Sequence, residues 1–204
     1  SPQKKVTIHA KSAIDAITQG QNTITAASAG TVSLFDSQGR HLRNIPIENP
    51  ASALLLTPNG AVSDSLLLVG QTDGNIQIFD LETSQFNKKM QMNSTAGSPV
   101  INLLQGPKDT TLAVYANGQL ALRNTQDGAI LYNAHLHGSP NFVGLHRRKL
   151  LANTELGQST TIDLTEFYQS RCELLRDLWS VIPTTWKEGK VIKSAPPLQH
   201  PCTR

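Results

Sequence analysis

The residue types that support chemistry are few in this chain, and their spacing is poor. His135 and His137 are separated by one residue, which would place both imidazoles on the same side of a strand, a spacing that metal ions can use. No carboxylate or third histidine stands next to the pair, so it is better interpreted as two polar residues at a strand edge. Asp15 and Asp64 have no partner carboxylate whose repulsion would suggest acid–base catalysis.

Motifs for nucleophilic catalysis and for phosphate binding are also missing from the sequence. It contains no Gly-rich phosphate loop followed by Lys-Ser/Thr and no Gly-x-Ser-x-Gly turn. Gly97-Ser98-Pro99 and Gly138-Ser139-Pro140 look superficially like nucleophile turns, but they occupy matching positions of a repeat described below. We therefore predict no catalytic residue, no cofactor and no metal site.

The composition favours strands and turns and gives no sign of a nucleic-acid or membrane partner. Charged residues make up 16% of the 204 residues, below the usual quarter, and Ser, Thr, Asn and Gln supply much of the polar share. The 18 Lys and Arg residues are dispersed, and the single basic cluster, residues 146–149, is interpreted as a hairpin turn. The longest apolar runs, such as Leu66–Val69, are far too short to span a bilayer.

The two cysteines, Cys172 and Cys202, are too few for a disulfide scaffold and lack the spacing of metal ligands. They could form a disulfide in an oxidising compartment, or both stay reduced in the cytosol. The count leaves the compartment open. A cytoplasmic location is preferred, and an extracytoplasmic one follows if the cysteines are paired.

A repeat with a fixed period organises about four fifths of the chain. Gly30, Gly74 and Gly118 lie at the same place in three segments that align without gaps, so the period is 44 residues in both intervals. A fourth, degraded copy runs from Leu156 to Asp163 after a shorter interval. The three well-kept segments are Ser28–Asp36, Thr72–Asp80 and Ala116–Asn124.

Every copy of the repeat shows the same local pattern. An apolar stretch is followed by a turn at Ala29-Gly30, Asp73-Gly74 or Asn117-Gly118, where glycine adopts a positive φ without steric cost. Alternation then follows, as at Val32 and Leu34, which is the period of a half-buried strand. The three glycines are therefore predicted to be structural turn residues. About four short strands in 44 residues match the number of strands and the length of one β-propeller blade.

The middle copy carries a family resemblance. Asp73-Gly74-Asn75-Ile76-Gln77-Ile78-Phe79-Asp80 resembles the Asp-Gly-x-Val-x-Val-Trp-Asp end of a WD repeat, with Phe79 in place of Trp. The copies that end at Phe35-Asp36 and Arg123-Asn124 depart further, and the Gly-His pair that opens many WD repeats is poorly kept. The resemblance covers residues 6 to about 164 and implies a WD-like propeller. A β-sandwich and a quinoprotein-type propeller are the alternatives.

The ends of the repeated region predict an incomplete ring. Lys4–His9 has the pattern of an outer strand without inner strands before it, whereas the fourth blade, residues 141–163, has three strands and no outer one. The N-terminal strand could close the ring on blade four or complete a blade outside this chain. WD-type rings usually have seven or eight blades, as the resemblance implies. We therefore expect upstream blades or a second copy to complete the ring, with a self-contained four-bladed ring as the alternative.

Residues 164–204 have a different period. Apolar residues recur from Leu164 to Trp179 at helical spacing, after a capping-box-like start at Asp163 and Glu166, and Pro183 marks the predicted end of the helix. Beyond it we expect an extended tail, because residues 186–204 contain several prolines. The pattern of residues 172–176, Cys-Glu-Leu-Leu-Arg, resembles the terminal helix of many bacterial WD-repeat proteins, which are often fused to kinase, protease or nucleotide-switch domains.

These observations predict an all-β chain of about four propeller-type blades, each of four antiparallel strands, in residues 1–163. A C-terminal helix and an extended tail follow in residues 164–204. The function that fits best is a non-catalytic scaffold for a protein or peptide partner. The alternatives are a regulatory or targeting module of a larger enzyme and an enzyme that uses the central channel.

Overall fold

The computed structural model describes residues 7–8, 13–28, 30–59, 62–82, 88–94, 97–193 and 201–203. The strands of residues 16–163 form four consecutive antiparallel sheets, and in each of them every strand pairs only with its neighbours in the chain. We refer to the sheets as blades 1 to 4. The all-β, propeller-type fold class predicted from the repeat is confirmed.

Blades 1 to 3 have four strands each, and blade 4 has three. Blade 1 consists of β1 (Ala16–Gln19), β2 (Thr23–Ser28), β3 (Thr31–Asp36) and β4 (His41–Pro46). Blade 2 consists of β5 (Ala51–Asn59), β6 (Val62–Gln71), β7 (Ile76–Asp80) and β8 (Lys88–Met92). Blade 3 consists of β9 (Val100–Gln105), β10 (Thr110–Tyr115), β11 (Gln119–Asn124) and β12 (Ile130–His135). Blade 4 consists of β13 (Pro140–His146), β14 (Lys149–Thr154) and β15 (Ser159–Asp163).

The inner blades are apolar on both faces because each one lies between two neighbours. In β6 the run Leu66–Val69 sends Leu67 and Val69 towards blade 1, and Leu66 and Leu68 towards blade 3. A continuous apolar run is what a strand buried on both faces requires, whereas strict alternation suits a strand with one wet face. Three clusters of buried side chains result, one between each pair of successive blades.

Close backbone approach links blade 2 to blade 3 near the inner strands. Ser52 of β5 donates a hydrogen bond from its Oγ to the carbonyl oxygen of Val100 in β9, at 2.6 Å. Gly70 of β6 leaves room for the Val100 side chain, since a Cβ built on Gly70 would lie 2.6 Å from Val100 Cγ1. The two blades therefore fit together only because residue 70 lacks a side chain.

The four blades form an open arc in the part of the chain that the structure describes. No buried apolar cluster of these residues joins blade 4 to blade 1. The outward face of blade 1 is covered in part by Ile8, and the outward face of blade 4 is exposed at Phe142 and Leu151. The predicted outer strand Lys4–His9 lies outside the described residues except for Thr7 and Ile8, neither of which is in a strand.

The C-terminal region follows β15 directly and differs in detail from the prediction. One continuous helix was expected, but the structure has two: α1 (Thr165–Tyr168) and α2 (Arg171–Val181). The predicted capping box at Asp163 and Glu166 forms only in part: Asp163 Oδ1 accepts a hydrogen bond from Thr165 N–H at 2.9 Å, whereas the reciprocal pair of bonds joins Ser170 and Glu173 at the start of α2. Helix α2 ends two residues before Pro183, as predicted.

The segment after α2 is not extended throughout. It folds into a hairpin of β16 (Thr184–Lys187) and β17 (Lys190–Lys193), and a short 3₁₀ turn follows at Pro201–Thr203. The hairpin turn uses Glu188 and Gly189, both with positive φ. None of the helices in the described ranges has the length and apolar character that crossing a membrane demands.

Candidate partner-binding cleft

Helix α1 is fixed to the propeller by aromatic and apolar contacts. Leu164, just before it, is fully buried in the cluster between blades 3 and 4. The Phe167 ring meets the Tyr132 ring of β12 edge-on, with centroids 6.1 Å apart. The Arg148 guanidinium lies over the Tyr168 ring, 5.4 Å from its centroid. These contacts hold the start of the C-terminal region in a defined place.

The start of α2 is anchored by main-chain hydrogen bonds. Lys108, in the loop between β9 and β10, donates a hydrogen bond from Nζ to the carbonyl oxygen of Gln169. Ser170 N–H donates to Glu173 Oε2 at 2.5 Å, and Glu173 N–H donates to Ser170 Oγ at 3.2 Å. The hydrogen bond from the Ser170 backbone lowers the pKa of the Glu173 carboxyl below its usual value.

A cleft of about 540 Å³ lies between the outer part of blade 3 and the two helices. We call it the helix cleft. Its walls are largely apolar, and charged side chains of both signs stand at its rim. The apolar lining includes Leu131, Phe167, Leu174, Leu175 and Leu178. The charged lining consists of Lys108, Asp109, Glu166 and Arg171.

Leu174 and Leu178 of α2 line this cleft, and the apolar side of the helix continues past it to Val181. No residue of the helix is buried. Leu174, Leu178 and Val181, at spacings of four and three residues, are 40%, 51% and 78% exposed. The sequence predicted these leucines only as part of one apolar pattern of helical spacing from Leu164 to Trp179.

Cys172 and Cys202 form a disulfide, with their sulfur atoms 2.11 Å apart and their Cα atoms 4.7 Å apart. Pairing was one of the two states that the sequence left open. Cys202 is buried and Cys172 is half-buried. The bridge ties the 3₁₀ turn to the first turn of α2 across 30 residues of chain. The position of α2 is therefore set from both sides, by Lys108 and by the disulfide.

The three glycines singled out by the repeat all occupy turns between the second and third strands of their blades. Gly30, Gly74 and Gly118 have φ of 78°, 87° and 91°, in the region that favours glycine. None of the three lines the helix cleft, and each one shapes a turn of its own blade. The basic cluster at residues 146–149 forms the turn between β13 and β14, where Arg147 and Arg148 have positive φ.

The histidine pair does not assemble into a ligand set. Strand β12 ends at His135, and His137 lies in the turn that follows. Among the described residues, no group of three or more His, Cys, Asp or Glu side chains could hold a metal ion. The prediction of no metal site stays a prediction.

A second polar feature lies between blades 2 and 3. Arg123 is buried, and its guanidinium donates hydrogen bonds to the carbonyl oxygens of Asn93 and Gly128, at 3.0 and 3.4 Å. Burial raises the pKa of Tyr115, and the nearby Arg123 charge opposes that rise. Arg123 belongs to blade 3, and its hydrogen bond to Asn93, just after the last strand of blade 2, links these two blades.

Comparison with known proteins identifies the architecture and no family. The sequence matches no protein-family model and no curated protein sequence. Solved structures do match, and the three described here share 17–18% identity with this chain. The computationally designed Ika4 protein superposes with a TM-score of 0.62 at 18% identity, over 80% of this chain and 99% of that chain.

Two longer propellers also match. BamB from Moraxella catarrhalis has a TM-score of 0.61 at 17% identity, over 76% of this chain and 48% of its own. The designed Ika8 protein has a TM-score of 0.63 at 17% identity, over 76% of this chain and 48% of its own. The chain thus spans about half the length of these two proteins. The fold is that of a β-propeller, and the WD-repeat resemblance is not established by these matches.

The helix cleft could not be found from the sequence. Its two walls are 61 residues apart at the Lys108–Gln169 contact, and no periodic pattern connects a loop of blade 3 to a distant helix start. The available signal was the apolar pattern of residues 164–179, which predicts an amphipathic helix but not what its apolar face contacts.

Proposed function

We propose that this chain is a non-catalytic interaction module that binds an apolar segment of a partner protein in the helix cleft. The observation that supports it most is the uncovered stripe of α2. An amphipathic helix in a globular chain is normally stabilised by burying its apolar face. Here the helix is held in place by a capping box, a lysine and a disulfide, while its apolar face stays open.

A short amphipathic helix of the partner fits this cleft best. The ridge formed by Leu174, Leu178 and Val181 has the spacing against which a second helix packs. The cleft volume lies in the range that takes a few anchoring side chains. Lys108 and Arg171 stand beside Asp109 and Glu166 at the rim, so a partner with charges of both signs around its apolar anchors is favoured.

The inner-strand side of the arc supports a non-catalytic function over an enzyme that uses the central channel. A cleft of about 330 Å³ opens there, between β9 and β13. The residues that line it are apolar side chains and two asparagines, with no group suited to proton transfer or nucleophilic attack. The lining consists of Ile101, Asn102, Val114, Pro140, Asn141, Phe142 and Val143.

Selection from a displayed library of random 16-residue peptides tests the proposal. We expect the wild-type chain to enrich peptides with apolar residues at helical spacing. Leu178→Glu places a charge in the cleft and should weaken binding of those peptides at least tenfold. Leu42→Glu is the matched control, because Leu42 lies on β4 of blade 1 and is 58% exposed.

Two results would count against the proposal. If the wild-type chain enriches no peptide family, peptide binding by this chain is wrong. If peptides are enriched and bind Leu178→Glu as tightly as the wild type, binding occurs elsewhere and the helix cleft is not the site.

A further inference from the structure

We propose that two copies of this chain close one ring, with the free face of blade 4 in each copy packed against the free face of blade 1 in the other. This surface lies at the ends of the arc and is separate from the helix cleft. Each residue at an end of the arc has a counterpart at the same repeat position inside the arc, and the contacts of that counterpart show which contacts the end residue lacks.

The free face of blade 4 carries apolar residues whose counterparts are buried. Leu151 of β14 occupies the repeat position of Leu112 in β10 and of Leu68 in β6. Leu68 and Leu112 are fully buried against the following blade, whereas Leu151 is 38% exposed. Phe142 of β13 is 54% exposed on the same face. The free face of blade 4 is therefore an apolar surface that a following blade would bury.

The free face of blade 1 is the complementary end. Phe35 of β3 occupies the repeat position of Phe79, which is buried between blades 1 and 2. Ile24 and Ala26 lie beside Phe35 on this face. Ile17 of β1 pairs with Ala26 and is 58% exposed. The free face of blade 1 is therefore an apolar surface that a preceding blade would bury.

Ile8 lies where the outermost strand of a preceding blade would contribute a side chain to the interface. At each interface inside the arc, the outermost strand of the preceding blade contributes a side chain: Ile45 of β4, Met92 of β8 and Tyr132 of β12. Ile8 packs in the same way against Ile24, Ala26 and Phe35 of blade 1, although it belongs to no blade of its own copy.

Blade 4 lacks a fourth, outermost strand. It ends at β15, whose residues are exposed or half-buried and which forms the outer edge of a three-stranded sheet. An exposed edge without lysine, proline or a bulge is open to pairing with another strand. The same contact between two copies thus completes the sheet of blade 4 and covers the face of blade 1.

A second copy satisfies both ends at once. In a two-fold arrangement, blade 4 of each copy meets blade 1 of the other, so no apolar end remains. The ring then contains twice the blades of one chain, in agreement with a chain that spans 48% of BamB and of Ika8. Further blades, upstream in the same polypeptide or in a different one, are the competing occupant, and the test below asks whether a second copy of this chain takes their place.

Light scattering on a size-exclusion column provides the test, with Leu151→Lys and Ile17→Glu as variants. The 22.1 kDa wild-type chain should elute with twice that mass. Each variant alone should elute as a monomer, because both of its interfaces carry an unpaired charge. Mixed in equal amounts, the two variants should regain the dimer mass, since one interface pairs Lys with Glu and the other is unchanged. Leu42→Lys, outside both faces, should stay dimeric.

The outcomes decide the proposal separately from the proposed function. A wild-type chain that is a monomer and unfolds cooperatively overturns it, and so does a Leu151→Lys chain that stays dimeric or aggregated. If the wild type aggregates, a monomeric Leu151→Lys variant that dimerises only in the mixture supports the ring. Peptide binding by the monomeric variants reports on the helix cleft alone, so it can persist when ring closure fails.

Discussion

Gly74 and Gly118 show how the absence of one side chain shapes the turn of a blade. A Cβ at Gly74 would lie 2.4 Å from Ser94 Oγ and 2.5 Å from the carbonyl oxygen of Ser98. A Cβ at Gly118 would lie 2.6 Å from the carbonyl oxygen of Leu136. At Gly30 the nearest atom, the carbonyl oxygen of Ile47, is 3.7 Å away, so there only the positive φ favours glycine.

The three positions should therefore respond differently to alanine. We expect Gly30→Ala to lower the free energy of unfolding by about 1 to 2 kcal/mol, the cost of a left-handed backbone. Gly74→Ala and Gly118→Ala should cost more, because main-chain atoms must also move. Urea unfolding followed by circular dichroism measures all three. Equal losses at the three positions would show that the contacts with the neighbouring loops have no effect on stability.

The Glu173 carboxylate makes the start of α2 sensitive to acid. Its pKa is lowered by the hydrogen bond from the Ser170 backbone. Because the pKa is lower in the folded than in the unfolded chain, the bond stabilises α2 above the unfolded pKa, and this stabilisation is lost as the pH falls through the folded pKa. The protection of the α2 amides, measured relative to the intrinsic exchange rate at each pH, should therefore fall at acidic pH in the wild type and much less in Glu173→Gln. Equal acid sensitivity in both would assign the effect to other carboxylates, such as Asp163.

At the scale of elements, the blades were predictable and the placement of the C-terminal helices was not. The glycine turns and the alternation at residues such as Val32 and Leu34 are local signals, repeated at a fixed period, and each copy supports the others. The break at Gln169–Ser170 depends on Lys108, which is distant in the sequence. A helical pattern continues through this break, so periodicity alone predicts one helix where two exist.

Packing between blades 2 and 3 should depend on Gly70. Gly70→Ala should lower the free energy of unfolding by about 1 to 3 kcal/mol, because the new methyl group would lie 2.6 Å from Val100 Cγ1. Val100→Ala leaves a cavity and should cost about 1 to 3 kcal/mol by itself. The double variant should lose less free energy of unfolding than the sum of both single variants. The methyl group added at residue 70 then enters the space that the Val100 side chain has vacated. A strictly additive cycle would mean that the two residues do not share that space.

At the scale of the whole molecule, we expect the disulfide to stabilise the C-terminal region and to have no effect on the stability of the blades. It closes a loop over 30 residues, for which chain entropy predicts a stabilisation of about 3 to 4 kcal/mol. Reduction should accelerate amide exchange in α2 and in the hairpin, while strands β10 and β11 stay protected. In the Cys172→Ser/Cys202→Ser double variant, amide exchange should be as fast as in the reduced chain, and reductant should not change it. Loss of protection in β10 upon reduction would show that the blades depend on the bridge.

The pairing of strands only with their sequence neighbours has a consequence for biosynthesis. Each blade can form as soon as its own residues have left the ribosome, and it then needs only the preceding blade to cover one face. The contacts of Lys108 with Gln169 and of Cys172 with Cys202 form only after the remaining segment has been made. The blades can therefore assemble in chain order, and the helix cleft forms only after both blade 3 and α2 have been made. A stalled nascent chain would display folded blades before this cleft exists.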